Sequence, residues 1–344
     1  MEKIILNKIS SITKNINLPR EVMISKNIQA EMGTVLAVKV VNANTNYNIL
    51  ELKSGRMCVL YQGDVIPVVL GTRFAMQGMC GVVPKILHPG DALDVLNIAG
   101  VAGECLDYNS SVGGPVKCSV IGAILDENGK QMLLKNYQTI SPASNLQNKK
   151  KIVTVVGTGM NSGKTTTASS IIQILASENK NIAVAKVTGV GAMKDVYQMI
   201  DCGCFTGASF VDCGLPSTCI EDKNLVIQST KGIINHLNNT DADVIFLELG
   251  DGLYGNYGVK ELLLDEEIKN SISLCIICAN DIPGSLKIYE DCLKIGIKPD
   301  ILSGPVTDNM VGVNIIKKTV DIGVFNAIRR NSVDSIVAIL SKVL

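Results

Sequence analysis

Residues 153–168 read Val-Thr-Val-Val-Gly-Thr-Gly-Met-Asn-Ser-Gly-Lys-Thr-Thr-Thr-Ala. A short apolar run is followed by a glycine-rich loop that ends in Lys164 and Thr165, and the pattern predicts a helix over 165–177. In such a strand–loop–helix unit, backbone N–H groups bind phosphates, the lysine reaches the β and γ oxygens, and the hydroxyl binds Mg²⁺. The helix directs its positive end toward the anion. A turn with an accidental Gly-Lys-Thr is the alternative, but the flanking strand and helix favour a phosphate-binding loop.

The loop departs from the common pattern at one position. Thr158 stands where the pattern has its first glycine, although Gly157 and Gly159 flank it. We expect the charge of Lys164 to lie on an exposed loop rather than in the core. The predicted nucleotide contacts in this run are Gly157, Thr158, Gly159, Met160, Asn161, Ser162, Gly163, Lys164, Thr165 and Thr166.

Composition and charge restrict the class of protein. A length of 344 residues predicts about two domains. Hydrophobic residues make up 47% and tryptophan is absent, which indicates a large aliphatic core such as that of a parallel sheet covered on both faces. The 32 basic and 32 acidic side chains balance, so we expect neither nucleic acid nor a membrane surface as partner.

The cellular location is predicted from apolar runs and cysteines. No apolar run approaches the roughly 18 residues that a membrane span needs. The first residues carry too many charges for a signal peptide. Eleven cysteines without a secretory signal predict reduced thiols and a cytoplasmic protein.

A polar stretch over residues 139–151, with Pro142, predicts a linker between two domains. Residues 1–138 are predicted to form a mostly-β, barrel-like accessory or substrate domain, and residues 152–344 a P-loop domain. In the first domain Asn128-Gly129 is a strong hairpin signal before 130–134. The strands predicted there are 34–41, 47–52, 56–60, 64–70 and 116–125.

Apolar strands alternate with helical stretches in the second half, which predicts a parallel α/β sheet with right-handed crossovers. The predicted strands are 152–156, 181–187, 244–249, 274–279 and 301–306, and the predicted helices are 165–177, 225–238, 285–293 and 333–344. Because ligands of such sheets bind outside the carboxyl ends of the strands, the residues after each strand are candidate site residues.

Four strand ends carry suitable chemistry. Glu248 closes an apolar strand, and a carboxylate there can hold Mg²⁺ beside the Thr165 hydroxyl, with Asp195 as a further metal candidate. Asp251 follows closely and is a candidate for metal or substrate. Two asparagines after later strands, Asn280 and Asn309, can both donate to and accept from a purine base, although asparagine is also an ordinary turn residue.

The order of these motifs over residues 151–330 resembles that of dethiobiotin synthetase and, more broadly, of cobyrinate amidases, MinD-like (SIMIBI) ATPases and DUF1611-type proteins. The loop 157–165 has the same layout. Lys186-Val-Thr-Gly189 resembles a Lys-Pro-x-x-x-Gly element, and the segments 248–252 and 303–309 resemble a Glu-Gly-x-Gly-Gly element and a base-contacting segment. This chain lacks the proline after Lys186 and the extra loop lysine of MinD-like proteins. Dethiobiotin synthetase, in turn, has no counterpart of the N-terminal domain.

The resemblance implies an ATP- and Mg²⁺-dependent enzyme, ligase- or kinase-like, in which a small-molecule carboxylate or similar group attacks the γ-phosphate. Lys164 and Lys186 would then be the catalytic residues, because they neutralise charge on the transferred phosphoryl group. We also expect a homodimer.

Residues 201–219 leave other functions open. Cys202, Cys204, Cys213 and Cys219 could hold Zn²⁺ or an iron–sulfur cluster, which makes an ATP-driven metallochaperone or cofactor-maturation NTPase the alternative. Cysteine also serves as a small apolar residue, and that reading is favoured here because the usual Cys-x-x-Cys spacing is missing. Asp201 and Asp212 are predicted to face substrate or Mg²⁺. A nucleotide-switch NTPase is the third hypothesis.

Overall fold

The computed structural model describes residues 2–147, 149–329 and 333–343 and divides into two compact units. The N-terminal unit comprises Met1–Thr139, Val190–Lys194 and Phe210–Glu221, and the P-loop unit comprises the remainder. Two short segments that follow strands of the second half therefore belong to the N-terminal unit. The division of function between domains stays a prediction, and Asn148 of the predicted linker lies outside the described residues.

A closed ring of five strands forms the centre of the N-terminal unit. In this ring β11 pairs with β3, β3 with β6, β6 with β10, β10 with β9, and β9 again with β11. The prediction of a mostly-β, barrel-like domain is thereby confirmed. The strands of this unit are β1 (Glu2–Ile5), β2 (Glu21–Ser25), β3 (Val35–Asn42), β4 (Ile49–Glu51), β5 (Met57–Val59), β6 (Val65–Leu70), β7 (Arg73–Phe74), β8 (Met79–Val82), β9 (Ala92–Val95), β10 (Val101–Tyr108) and β11 (Val116–Ile124).

The side chains of alternate strand residues fill the interior of the barrel. Along β9, Leu93 and Val95 are buried in the core, whereas Asp94 between them is only partly buried. Successive side chains of a strand point to opposite faces, so this alternation gives each strand one inner and one outer face. The same core receives residues from the facing strands, among them Leu36, Val38, Val40, Ile66, Val68, Val116 and Val120.

The P-loop unit contains a seven-stranded sheet in the order β14-β13-β15-β12-β16-β17-β18, with every pair parallel. This confirms the predicted parallel α/β fold. The strands are β12 (Lys151–Gly157), β13 (Ile182–Thr188), β14 (Thr206–Ser209), β15 (Val244–Leu249), β16 (Ile272–Cys278), β17 (Ile301–Ser303) and β18 (Gly323–Val324).

The P-loop unit also contains the helices. Every residue of β13 and β15 is buried, as the aliphatic composition predicts. The helices are α1 (Lys164–Ser177), α2 (Lys194–Asp201), α3 (Lys223–Asn238), α4 (Val259–Leu264), α5 (Glu266–Ser271), α6 (Ile282–Ile295), α7 (Met310–Thr319) and α8 (Val333–Val343). Leu344, the last residue of a predicted helix, lies outside the described residues. Within the described part of the chain, no helix has both the length and the apolarity to cross a membrane.

Several elements differ from the sequence prediction. The strand predicted over 301–306 ends at Ser303, because Gly304 has φ of 100° and a 3-10 helix follows at Pro305–Thr307. The edge strand β14 reads Thr-Gly-Ala-Ser and gives no apolar pattern, so the prediction missed it. The prediction also missed β1, β2, β7 to β10, β18, α2, α4, α5 and α7, most of which are short.

Residues 140–147 of the predicted linker belong to the P-loop unit. Ala143 N–H donates to the Gln228 carbonyl at 2.9 Å. Gln147 N–H donates to Asn235 Oδ1 at 2.7 Å, and Asn235 donates back to the Asn145 carbonyl at 2.9 Å. These contacts lay the segment 140–147 along α3, where its backbone polar groups find partners.

Candidate functional site

The phosphate-binding loop connects the end of β12, at Gly157, with the start of α1, at Lys164. Gly163 precedes the helix with φ of 88°, in the left-handed region that favours glycine. A Cβ atom at this position would also lie 2.9 Å from the Cα atom of Gly304. The backbone conformation and the close packing of the loop therefore require glycine at position 163.

Lys164 lies inside the site and not on an exposed surface, which corrects the sequence expectation. The residue is 6% exposed. Its ammonium group donates to the carbonyls of Gly159 at 2.7 Å and Asp251 at 3.0 Å, with Ser162 Oγ at 3.4 Å. Burial lowers the pKa of Lys164, while the nearby Glu248 carboxylate opposes the decrease. A buried cation held by neutral carbonyls is suited to receive an anion.

Glu248 and Thr165 meet at the ends of adjacent elements. On β15, Glu248 is in register with Val155 of β12, the strand that leads into the loop. Thr165 Oγ1 donates to Glu248 Oε1 at 2.9 Å, and Glu248 Oε2 is buried with no hydrogen-bond partner among the described residues. Burial raises the pKa of Glu248, and Asp195 adds to the increase. An unsatisfied buried carboxylate oxygen beside a hydroxyl is a site where a cation would bind.

Lys186 supplies a second buried cation. It lies on β13 in register with Glu248 on β15, and its side chain is 9% exposed. The ammonium group donates to a carboxylate oxygen of Asp195, in the first turn of α2. Lys186 lowers the pKa of Glu248, as does Lys164. The structure thus brings together Lys164, Lys186, Asp195 and Glu248, which the sequence placed at separate strand ends.

The two asparagines predicted to contact a base occupy different local settings. Asn280 is exposed between β16 and α6. Asn309 caps α7, because its side-chain oxygen accepts from Val311 N–H at 2.9 Å and Gly312 N–H at 3.3 Å. The capping role accounts for Asn309, and base recognition by either residue stays a prediction.

The three predicted substrate acids are separated. Asp251 lies in the loop after β15, beside Lys164. Asp201 is exposed at the far end of α2, six residues beyond the Asp195 that contacts Lys186. Asp212 belongs to the N-terminal unit, where it pairs with Lys14 at 2.6 Å. That ion pair gives Asp212 a structural partner.

Sequence reasoning missed polar residues that form hydrogen bonds next to the phosphate-binding loop. Thr167 Oγ1 donates to Ser303 Oγ at 2.9 Å and connects α1 to the end of β17. Asn326 is buried and donates to the Thr307 carbonyl at 2.9 Å, which fixes the turn before α7. Asn326 follows a strand end, so the rule that predicted the other site residues would have found it had β18 been predicted.

The clustered cysteines of the sequence divide between the units. Cys202 and Cys204 belong to the P-loop unit, whereas Cys213 and Cys219 belong to the N-terminal unit. Burial raises the pKa of Cys204 to about 12, and Cys202 adds to the increase, so this thiol stays protonated. Within residues 2–147, 149–329 and 333–343, no three or more His, Cys, Asp or Glu side chains group to hold a metal ion.

Elemental analysis of anaerobically purified protein is therefore expected to show no stoichiometric zinc or iron. The physical reason is that a protonated, buried thiol is a poor metal ligand. About one equivalent of zinc per chain, lost in both Cys202→Ser and Cys204→Ser, would contradict this expectation and support the metallochaperone hypothesis. Cys118→Ser, at a buried barrel position, serves as the control for general destabilisation.

The N-terminal unit has a polar cavity of its own. Its volume is about 550 Å³, and its lining includes Asn44, Asp94, Tyr108 and Lys117. Volumes of this size are typical of small-molecule pockets.

No protein-family model matches the sequence, and the comparison with curated proteins finds no match. The signal recognition particle receptor FtsY from Elizabethkingia anophelis in complex with GDP is similar at 15% identity over 56% of this chain and 61% of that chain, with a TM-score of 0.36. Chloroplast FtsY from Physcomitrella patens gives 17% identity, coverage of 56% and 64%, and a TM-score of 0.37.

The kinase domain of the Escherichia coli tyrosine kinase ETK is similar at 12% identity over 46% of this chain and 69% of that chain, with a TM-score of 0.35. This chain spans less than two thirds of the length of either FtsY protein. Since all these TM-scores lie below 0.5, the fold assignment rests on the strand order and on the loop described above.

Proposed function

We propose that this chain is a Mg²⁺-dependent P-loop enzyme that binds ATP and transfers its γ-phosphoryl group to a small-molecule acceptor. The observation that carries the proposal is the contact between Thr165 and Glu248 beside the phosphate-binding loop. It places the hydroxyl that ends the loop against the acid that ends the neighbouring strand. Hydroxyl and carboxylate oxygens from these two elements are the protein ligands that nucleotide-bound Mg²⁺ takes in P-loop proteins.

The residues present fit a magnesium ion. Glu248 Oε2 is buried and unpartnered among the described residues, and Asp195 is a further carboxylate in this cluster. One or two carboxylates suffice, because Mg²⁺ keeps several waters and binds substrate phosphates. When bound, the ion would neutralise charge on the β and γ phosphates. Oxygen ligands are the ones that Mg²⁺ prefers, so the cluster fits this ion better than a soft metal.

Phosphoryl transfer, rather than binding alone, is supported by the second buried cation. Lys164 suffices to hold the phosphates, and Lys186 adds a positive charge at the neighbouring strand end. In the proposed reaction, an acceptor oxygen attacks the γ-phosphorus, the bond to the β-γ bridging oxygen breaks, and ADP leaves. The two ammonium groups stabilise the charge that develops on the transferred group and on the leaving oxygen.

Calorimetric titration tests the nucleotide assignment. We expect the full chain to bind a non-hydrolysable ATP analogue with Mg²⁺, and to bind it more weakly in EDTA. Phosphate release is then measured with ATP or GTP against pools of small carboxylates, in which one pool should increase turnover. If the chain binds neither ATP nor GTP, the proposal is wrong. Binding without acceptor-dependent turnover would overturn the transfer reaction and favour the nucleotide-switch hypothesis.

A further inference from the structure

One row of polar side chains in the lining of the N-terminal cavity lies on the outer face of the barrel. The barrel core is filled along β9 and β11 by Leu93, Val95, Val116 and Cys118. Asp94 and Lys117 alternate with these residues and therefore point outward. Lys117 is in register with Asp94 of β9 on one side and with Asn42 of β3 on the other. Three neighbouring strands thus place a carboxylate, an ammonium group and an amide side by side in the cavity lining.

Asp94 is fixed by the backbone but keeps one oxygen available. Its Oδ2 accepts from Cys105 N–H at 3.0 Å, and its side chain is 15% exposed. Its Oδ1 lies 3.7 Å from Lys117 Nζ, which is too long for a hydrogen bond. Within the part of the chain that the structure describes, neither Asp94 Oδ1 nor the Lys117 ammonium group has a hydrogen-bond partner. Two opposite charges therefore line the cavity as neighbours, and both can still form hydrogen bonds.

A bulge in β10 adds a second carboxylate to the lining. The register between β10 and β8 shifts between Cys105 and Asp107. Successive side chains of a regular strand point to opposite faces, whereas Cys105, Leu106, Asp107 and Tyr108 all line this cavity. A bulge redirects side chains in this way, and bulges are frequent next to active sites.

Hydrogen bonds and a glycine fix the loops that complete the cavity. Thr45 Oγ1 donates to the Gly114 carbonyl at 2.5 Å, which connects the loop after β3 to the loop before β11. Asn44 N–H donates to Asn42 Oδ1 at 2.8 Å. A Cβ atom at Gly114 would lie 3.7 Å from the Tyr108 ring, so the ring packs against the glycine backbone. The walls are therefore defined by the chain itself, as is usual for ligand pockets.

We propose that this cavity is a binding site for a free α-amino acid. Asp94 binds the ammonium group of the ligand, and Lys117 binds its carboxylate. Because the two protein charges are 3.7 Å apart, the two ligand charges must also be neighbours, as they are on one α-carbon. The volume of about 550 Å³ leaves room for a side chain, and Asp107, Asn44 and Asn46 favour a polar one. This binding function goes beyond the proposed phosphoryl transfer, since none of its residues belongs to the nucleotide site.

Thermal unfolding and calorimetric titration of the full chain, without nucleotide, test the site. Each of the common L-α-amino acids is added in turn, and at least one with a polar side chain is expected to bind and to raise the melting temperature. The corresponding amine and carboxylic acid, which each lack one of the two charges, should bind about 10- to 100-fold more weakly. 6-Aminohexanoate, whose two charges are far apart, should bind no better than these single-charge analogues.

Two variants test the residues. Asp94→Asn keeps an oxygen for the backbone N–H but removes the charge, and it should raise the dissociation constant of the amino acid about 10- to 100-fold. Lys117→Gln should have a similar effect. Asp91→Asn is the matched control, because Asp91 also accepts from a backbone N–H, at 2.7 Å, but lies outside the cavity lining. Lys39→Gln makes the lysine change at an exposed position of β3 outside the lining.

Each outcome decides the proposal. Weaker binding in Asp94→Asn and Lys117→Gln, but not in the two controls, would support the site. If no α-amino acid binds the wild-type chain, the proposal is wrong. If one binds but Asp94→Asn and Lys117→Gln leave its dissociation constant unchanged, the ligand lies elsewhere and the proposal is also wrong. Equal affinity for the amino acid and for its amine or acid analogue would contradict recognition by two charges.

Discussion

Replacing Lys164 with alanine is expected to reduce nucleotide turnover by about 10²- to 10³-fold, because one preorganised charge on the transferred phosphoryl group is lost. The effect should appear mainly in kcat, since the remaining loop N–H groups still bind phosphate. Folding should survive, because the substitution removes a buried charge together with its desolvation cost. Phosphate release measures turnover, and thermal unfolding measures the fold.

Lys151→Ala is the matched control for the loss of Lys164. It removes one lysine from the exposed start of β12, the strand that leads into the loop, and should leave turnover unchanged. Normal turnover in Lys164→Ala would contradict the assignment of the loop as the phosphate site. A similar loss of activity in Lys164→Ala and Lys151→Ala would instead indicate general destabilisation of β12.

Glu248→Gln is expected to reduce turnover by about 100-fold or more while changing nucleotide affinity in EDTA much less. The amide keeps the shape of the carboxylate and can still accept from Thr165, but it lacks the charge that holds Mg²⁺. Turnover is measured against Mg²⁺ concentration, and the concentration for half-maximal activity should increase.

Glu178→Gln makes the same change at an exposed position after α1 and serves as control for net charge. Full activity of Glu248→Gln would contradict the magnesium role of Glu248. That role would then pass to Asp195 or Asp251. Asp195 already pairs with Lys186. If Asp195 is the metal ligand, Asp195→Asn should therefore impair both the Lys186 ammonium group and the Mg²⁺ site.

Features that depend on a local pattern can be predicted from the amino-acid sequence alone. The run of residues 153–168 predicts its own strand, loop and helix, since the signals for all three lie within one short segment. Long apolar strands that alternate with helices predicted the parallel sheet. Glu248 was found because an acid near the end of an apolar strand is visible in sequence.

Which side chains come into contact depends on the tertiary fold. Lys164 is buried against the carbonyl of Asp251, 87 residues away, and no local pattern encodes the burial of a lysine or a backbone acceptor. Lys186 and Glu248 are brought side by side by strand register. Closure of the barrel likewise depends on β9, which pairs with two strands. Strand pairing joins residues that are distant in sequence, and the free energy of such contacts depends on the whole packed sheet.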